Sequence, residues 1–377
     1  MKVAVVREVR EHEHRVALVP ELVAKLTGAG LDVVVEAGAG AGALHDDDAY
    51  RAAGAEIAPA AEVLPTADVV LSVQPLEPAR IAILRSGVIT VSFLSVGQEL
   101  DVVRAARDAG VSAFSVELVP RISRAQSMDA LTSQALVAGY RAVLVAAERL
   151  PRFFPLSMTA AGTVPPAQVL VLGAGVAGLQ AIATARRLGA QVEAYDVRAA
   201  SAEEIRSLGA RFVELDLPSL EGAGGYAREM TEERAQLQRD LLAPHVSAAD
   251  VVITTAAVPG RRAPLLVETP AVEAMKPGSV VIDLAAESGG NVEGSVAGEE
   301  VAVGGARLWG ARNVPSQLPV HASRLYAANV VNLVLLMTDD GKVAPDLSDE
   351  IVDGACVTHE GQVRHAPTRD LLESEGR

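Results

Sequence analysis

Three glycines and one carboxylate carry the first chemistry that this chain suggests. Gly173, Gly175 and Gly178 stand in the spacing G-x-G-x-x-G, directly after a strand-like apolar run and at the opening of a helix-like one. Each position has a physical role. Gly173 permits a tight turn, Gly175 lets the backbone approach a pyrophosphate, and Gly178 lets helix and strand pack closely. The helix beginning near Val176 would aim its free N–H groups and positive dipole end at the phosphates. Asp196 closes the next apolar run, about 20 residues beyond the first glycine. A carboxylate there accepts from a ribose diol and repels a 2′-phosphate, which favours NAD over NADP. The same spacing also describes a plain strand–turn–helix corner, and the glycines alone do not separate the two.

A second set of polar groups lies in RISRAQSMDALTSQ, residues 121–134, which combines Arg121, Arg124, Gln126, Asp129, Gln134 and several hydroxyls. Many charge-rich loops are solvated faces. This one follows a strand end and precedes a helix, the crevice where doubly wound folds bind ligands. Its fixed donors and acceptors, expected to face the fingerprint across a cleft, suit a polar group such as a nicotinamide carboxamide. A third segment, EGAGGYAR at 221–228, sets glycines around Tyr226. It reads equally as a surface connection or as a glycine-hinged lid. His12, His14 and His45 show no metal-ligand spacing, and Asp46, Asp47 and Asp48 read as charges at a helix N-terminus. Glu287 is left between capping its turn and touching the cleft, and Cys356 reads as a buried or incidental thiol.

The elements that must position these groups alternate strand and helix from the start. Strands are expected at 3–6, 33–35, 68–73, 88–93 and 111–119, with helices at 20–26, 78–85 and 99–109 between them. That alternation implies a doubly wound parallel sheet, an α/β fold. Gly38, Gly40 and Gly42 there have another spacing and read as a loop. A long helix over 129–150 should bridge to a second α/β unit, whose strands after the fingerprint fall at 212–215, 250–254, 279–282 and 308–310. A helix over 321–337 should return to the first domain. The expected division is therefore 1–128 plus 320–377 for one Rossmann-like domain and 129–319 for the other. The tail beyond Gly341 reads as polar and broken, frayed from Arg364.

Composition narrows the function classes. Half of the 377 residues are hydrophobic but only 3% are aromatic, so the core is built from Val, Leu, Ile and Ala, as in parallel sheets. A net charge of −15 argues against nucleic acid and against adsorption to anionic lipid. The single cysteine excludes an internal disulfide and fits a reducing compartment. Met1-Lys2 leads straight into a strand-like run, so no signal peptide is expected, and the apolar run 327–337 is too short to span a bilayer.

The segments RISRAQSMD, MTAAGTVPPAQVLVLGAGVAGLQAIATARRLGA, DVRA, GGYAREM, VITTAAVPG and MKPGSVVIDLAAESGGN resemble the NAD(H)-binding component of proton-translocating nicotinamide nucleotide transhydrogenases over nearly the whole chain. The resemblance implies NAD(H) on this chain and NADP(H) on a partner subunit. It also implies a membrane component that translocates protons, a homodimer, and a cytoplasmic location peripheral to the membrane through protein partners. It implies that Arg121, Ile122, Ser123, Gln126, Asp129 and Thr132 meet the nicotinamide end, with Arg121, Gln126 and Asp129 as the residues that orient hydride transfer. It implies that Gly173, Gly175, Val176, Gly178, Asp196, Val197 and Arg198 surround the pyrophosphate and adenosine ribose. Gly225 and Tyr226 match a loop that closes on the nucleotide, and Ala256 and Ala257 match apolar wall positions.

The competing resemblance is to alanine dehydrogenases, which share the fold and the early Arg15-Val16-Ala17-Leu18 segment. That family needs a lysine after the strand near Val73 and a histidine after the strand near Phe93; here those positions are Gln74 and Ser95. Neither side chain acts as acid or base near neutral pH. Oxidising an amine or alcohol releases a proton with the hydride and needs a base, whereas passing a hydride between two nicotinamides releases none. A non-catalytic NAD-binding regulatory module is the remaining alternative.

Overall fold

A computed structural model describes residues 1–217, 231–257 and 261–375. They form two compact units, Met1–Gln134 with Ser316–Arg377, and Ala135–Pro315. The first division falls inside the helix Ala130–Arg149.

The first unit is built on an eight-stranded sheet. Its six parallel strands lie in the order Glu56–Ala58, Asp32–Glu36, Lys2–Val5, Val69–Leu71, Ile89–Ser92 and Ser112–Ser115. In chain order this is 3-2-1-4-5-6, the doubly wound arrangement whose strand order reverses between the first and fourth strands. The strands are near-continuous runs of buried Val, Leu and Ile because helices cover both faces. One layer of the core takes Val3, Val5, Leu71 and Val91 together with Tyr326, Val330 and Val334 of the helix Pro319–Leu336. The other layer joins Ala4, Val70 and Ala113 to Val63, Ile81 and Val103.

The tail corrects the expectation of a broken, frayed end. Cys356–His359 and Gln362–Val363 add two antiparallel strands beside Ser112–Ser115, with a bulge between Cys356 and Thr358, and the helix Ala366–Glu375 follows. Thr358 is fully buried, with its hydroxyl donating to the Val111 carbonyl at 2.8 Å, and Arg364 pairs with Asp353 at 2.9 Å.

The second unit repeats the plan. Its parallel strands run Arg211–Phe212, Gln191–Tyr195, Gln168–Leu172, Val251–Thr254, Val280–Asp283 and Ala306–Gly310, and Glu300–Val303 adds an antiparallel edge. The strand order reverses between Gln168–Leu172 and Val251–Thr254. The strand expected at 212–215 is displaced to Arg211–Phe212, because the residues beyond Phe212 make one further link, from Val213 N–H to the Ala194 carbonyl, and then leave the sheet. A separate hairpin, Ser157–Thr159 with Gly162–Val164, has no signature in the sequence; its strands are three residues each and almost wholly exposed, so they carry no apolar alternation.

The helix Ala130–Arg149 is long and apolar enough, by length and composition alone, to cross a membrane. Its Ala142, Val143, Val145 and Ala146 pack into the core of the second unit.

Candidate functional site

The strand Gln168–Leu172 delivers the glycine loop at the point where the second sheet's strand order reverses. Gly173 has φ +102°, a conformation that other residues rarely adopt. A Cβ on Gly178 would lie 1.9 Å from the Gly173 carbonyl oxygen, so helix and loop close on each other only with glycine there. Gly175 differs: a Cβ would meet no atom of the protein within 4 Å. Packing does not require glycine at that position; a ligand approaching the backbone would. Gly175 is the N-cap of the helix Val176–Arg187 and provides no side-chain cap, so the first-turn N–H groups stay available to an anion. Val176, half-exposed, opens that turn. These features fit a bound pyrophosphate.

Asp196 follows the strand Gln191–Tyr195 and is 9% exposed. Its Oδ2 accepts from Ala174 N at 2.7 Å, tying the glycine loop to the end of the next strand. Its Oδ1 accepts from Arg198 N and Nε at 2.9 Å, and Oδ2 also accepts from Arg198 Nη2 at 3.0 Å. A carboxylate offers about four acceptor positions. Asp196 is therefore not an uncommitted acceptor; any ribose hydroxyl at this carboxylate would have to compete with the Arg198 guanidinium. Val197, half-buried, packs against the core cluster that includes Tyr195 and Val213.

The opposite wall comes from residues that the sequence motifs do not single out. Thr255 Oγ1 donates to the Gly173 carbonyl at 3.1 Å, which anchors the loop from the neighbouring strand. Asn291, fully buried, donates Nδ2 to the carbonyls of Ala256 and Pro264 at 2.8 Å each, and its Oδ1 accepts from Ala256 N at 3.0 Å. The buried Asp283 accepts from Thr254 Oγ1, Ala285 N, Asn291 N and Val292 N. Ala256 is half-buried beside this frame and Ala257 is exposed. Polar residues in the GGN turn, following an apolar strand, are the available signal. Glu287 lies in the same region, and its Oε2 accepts from Asn313 N at 2.9 Å, a turn-bracing role.

In the first unit, RISRAQSMD forms a short 3₁₀ turn, Ser123–Met128, ahead of the helix Ala130–Arg149. Ala125 and Met128 are buried in the core, whereas Arg121, Ser123, Gln126 and Ser127 face outward and Ile122 is half-buried. The turn is held from behind: the Ser127 carbonyl accepts from Asn329 and Asn332 Nδ2 at 2.9 and 3.1 Å. Asp129 accepts from Thr132 N at 2.8 Å and from Thr132 Oγ1 at 2.6 Å, so two of the expected binding residues cap the helix by bonding to each other. Arg124 pairs with Asp349 at 2.7 Å. Gly225 and Tyr226 lie outside the described residues.

The first unit has its own reversal point, between the ends of Lys2–Val5 and Val69–Leu71, and its own side chains fill it. Glu8 accepts from Val73 N at 2.6 Å and from Gln74 N at 3.2 Å. Burial pushes the Glu8 carboxyl up to about 7, with neighbouring Glu13 adding to the shift and the backbone N–H groups opposing it. Gln74 Nε2 donates to Glu13 at 2.8 Å, and Arg15, buried, donates to both Glu13 oxygens and to Gln134 Oε1. Burial raises Glu13, but Arg15 outweighs it and holds this carboxyl below its usual range. Ser95 Oγ lies 3.2 Å from both oxygens of Glu117, whose carboxyl burial pushes up. Gln74 and Ser95 are thus committed to carboxylates of the same unit.

The alanine dehydrogenase/PNT N-terminal domain matches residues 4–138, and the alanine dehydrogenase/PNT C-terminal domain matches 142–366. The chain belongs to the alanine dehydrogenase/PNT family. Within it, the first part of NAD(P) transhydrogenase subunit alpha from Rhodospirillum rubrum is 48% identical over 376 residues, covering 97% of this chain and 98% of that protein. The crystal structure of transhydrogenase from Sinorhizobium meliloti superposes with a TM-score of 0.86 at 44% identity, covering 97% of this chain and 100% of that one. Alanine dehydrogenase of Mycobacterium tuberculosis is more distant, 32% identical over 96% of this chain and 94% of its own length. The likeness within the family therefore leans to the transhydrogenases, as the motifs imply.

Proposed function

We propose that this chain is the NAD(H)-holding component of an NAD(P) transhydrogenase. It presents NADH to NADP⁺ held by a partner subunit. The bound nicotinamide supplies a hydride, two electrons and one hydrogen nucleus, which leaves NADH as NAD⁺ and converts NADP⁺ to NADPH with no proton released. The chain's own residues bind, orient and exclude water. The helix Val176–Arg187 takes the pyrophosphate at its N-terminus. Asp196 takes the ribose diol in competition with Arg198. Arg121 and Gln126 fix the nicotinamide end, and Asp129 with Thr132 offers a hydroxyl and carboxylate beside them. Ala256 and Ala257 line its apolar side.

The observation that carries this reading is the commitment of Gln74 to Glu13 and of Ser95 to Glu117. A keto-acid dehydrogenase needs an acid and a base at those two positions, and hydride exchange between nicotinamides needs neither. The names of the relatives, a subunit alpha or the first part of one, support further subunits. We read these as an NADP-binding subunit and a proton-translocating membrane domain, with this chain as a homodimer peripheral to the membrane. Calorimetric titration tests the assignment: NADH should bind, NADPH weakly if at all, and L-alanine should support no reduction of NAD⁺. Alanine-dependent turnover would overturn it.

A further inference from the structure

A glycine outside the fingerprint grips the same helix end. Gly139 sits in the middle of the helix Ala130–Arg149, where glycine costs about 1 kcal/mol relative to alanine. A Cβ there would lie 2.1 Å from the Ala177 carbonyl oxygen, 2.8 Å from its carbonyl carbon and 2.9 Å from its Cα. All three are backbone atoms, so no side chain can swing away. Ala177 belongs to the first turn of Val176–Arg187. On the next residue, Gly178, a Cβ would lie 1.9 Å from the Gly173 carbonyl oxygen, so the loop side is equally close. The first turn is therefore held between two glycine contacts on successive residues. The long helix cannot readily give way, because Ala142, Val143 and Ala146 are fully buried one and two turns further on.

We propose that Gly139 is a positioning residue for nucleotide binding: its close approach to Ala177 sets where the first-turn N–H groups of Val176–Arg187 stand, and so how well they meet a pyrophosphate. The proposal rests on the nucleotide reading of the glycine loop and extends it to a helix that touches no phosphate. A methyl group at residue 139 must displace the first turn by about 1 Å to restore ordinary contact, on the scale at which misplacement of binding groups is costly. The displacement acts on the phosphate-binding N–H groups, while Asp196, the proposed partner of the adenosine ribose, follows a different element, the strand Gln191–Tyr195.

The test compares ADP with adenosine on Gly139→Ala, with Ala142→Gly as a control that weakens the same helix without adding a methyl group. Gly139→Ala should weaken ADP binding about tenfold or more, the scale of one charge-assisted hydrogen bond, and leave adenosine binding within about twofold. Ala142→Gly should keep the wild-type ratio. Unchanged ADP affinity in folded Gly139→Ala overturns the proposal, and so does an equal loss of ratio in both variants. Wild-type protein that binds no ADP refutes the nucleotide reading itself, a distinguishable result. Should Gly139→Ala not fold, hydrogen exchange on the wild type decides: ADP should slow exchange over residues 135–145, and unchanged exchange there contradicts the proposal.

Discussion

Asp196→Asn separates the two roles that the structure gives this carboxylate. The isosteric amide keeps one acceptor oxygen and replaces the other with a donor. With the amide nitrogen at the Oδ2 position, Ala174 N and Arg198 Nη2 lose their acceptor; at Oδ1, Arg198 N and Nε lose theirs. Either way one backbone and one charge-assisted hydrogen bond are lost. The carboxylate is 8% exposed and the Arg198 side chain 29%, so solvent screens the pair only in part. The loss amounts to about 2 kcal/mol. For a unit of roughly 180 residues this lowers Tm by about 4–8 °C. The variant should also bind NADH about tenfold or more weakly, since ribose loses a charged acceptor and the Ala174 loop loses its tether. Differential scanning calorimetry and NADH titration read the two effects together. Unchanged Tm with unchanged affinity would refute the reasoning; lowered Tm with unchanged affinity would confine Asp196 to holding the loop.

Gln126→Ala should slow hydride transfer to the partner-bound NADP⁺ by more than about tenfold while NADH affinity changes less than about threefold, as expected of an exposed orienting group; a pure affinity loss contradicts that role. Glu8 predicts a pH signature. Its carboxyl is raised from the ordinary range to about 7, so its contribution to stability is full below about pH 4.5 and declines as pH rises through about 7. Urea midpoints should fall between pH 5 and pH 8 in the wild type and fall less in Glu8→Gln; parallel slopes would exclude Glu8 as the group. The Cys356 thiol is 1% exposed and pushed by burial up to about 11. It should resist DTNB in native protein and react on unfolding, and rapid native labelling would place it elsewhere.

How much of the molecule is legible in its sequence depends on whether the signal is local. The glycine spacing, the apolar strand runs and the acid after Tyr195 lie within thirty residues, and together they specify a strand–helix–strand unit. Both parallel sheets are legible for the same reason. The strand Cys356–His359 is not, because it is short, half polar and makes an antiparallel addition to a strand more than 240 residues earlier. The engagement of Asp196 by Arg198 is two residues away and still invisible, since adjacency does not say that a guanidinium folds back. Asp129 and Thr132 match ligand contacts by resemblance, yet their spacing is equally that of a helix cap, and the structure shows them using it. Gln74, Glu13 and Arg15 meet only because the sheet brings the ends of its first and fourth strands together. Asn291 has no periodicity to announce it.

The central claim is direct hydride passage between two nicotinamides with no proton-transferring group. The measurement that tests it most directly mixes this chain, NADH carrying deuterium at the transferable C4 position, and an NADP⁺-loaded NADP-binding transhydrogenase subunit, then follows the label by mass spectrometry. The account predicts deuterium in the NADPH formed, none in the water, and no transfer when either protein is omitted. Label appearing in solvent, or NAD⁺ reduction driven by alanine with this chain alone, would contradict it.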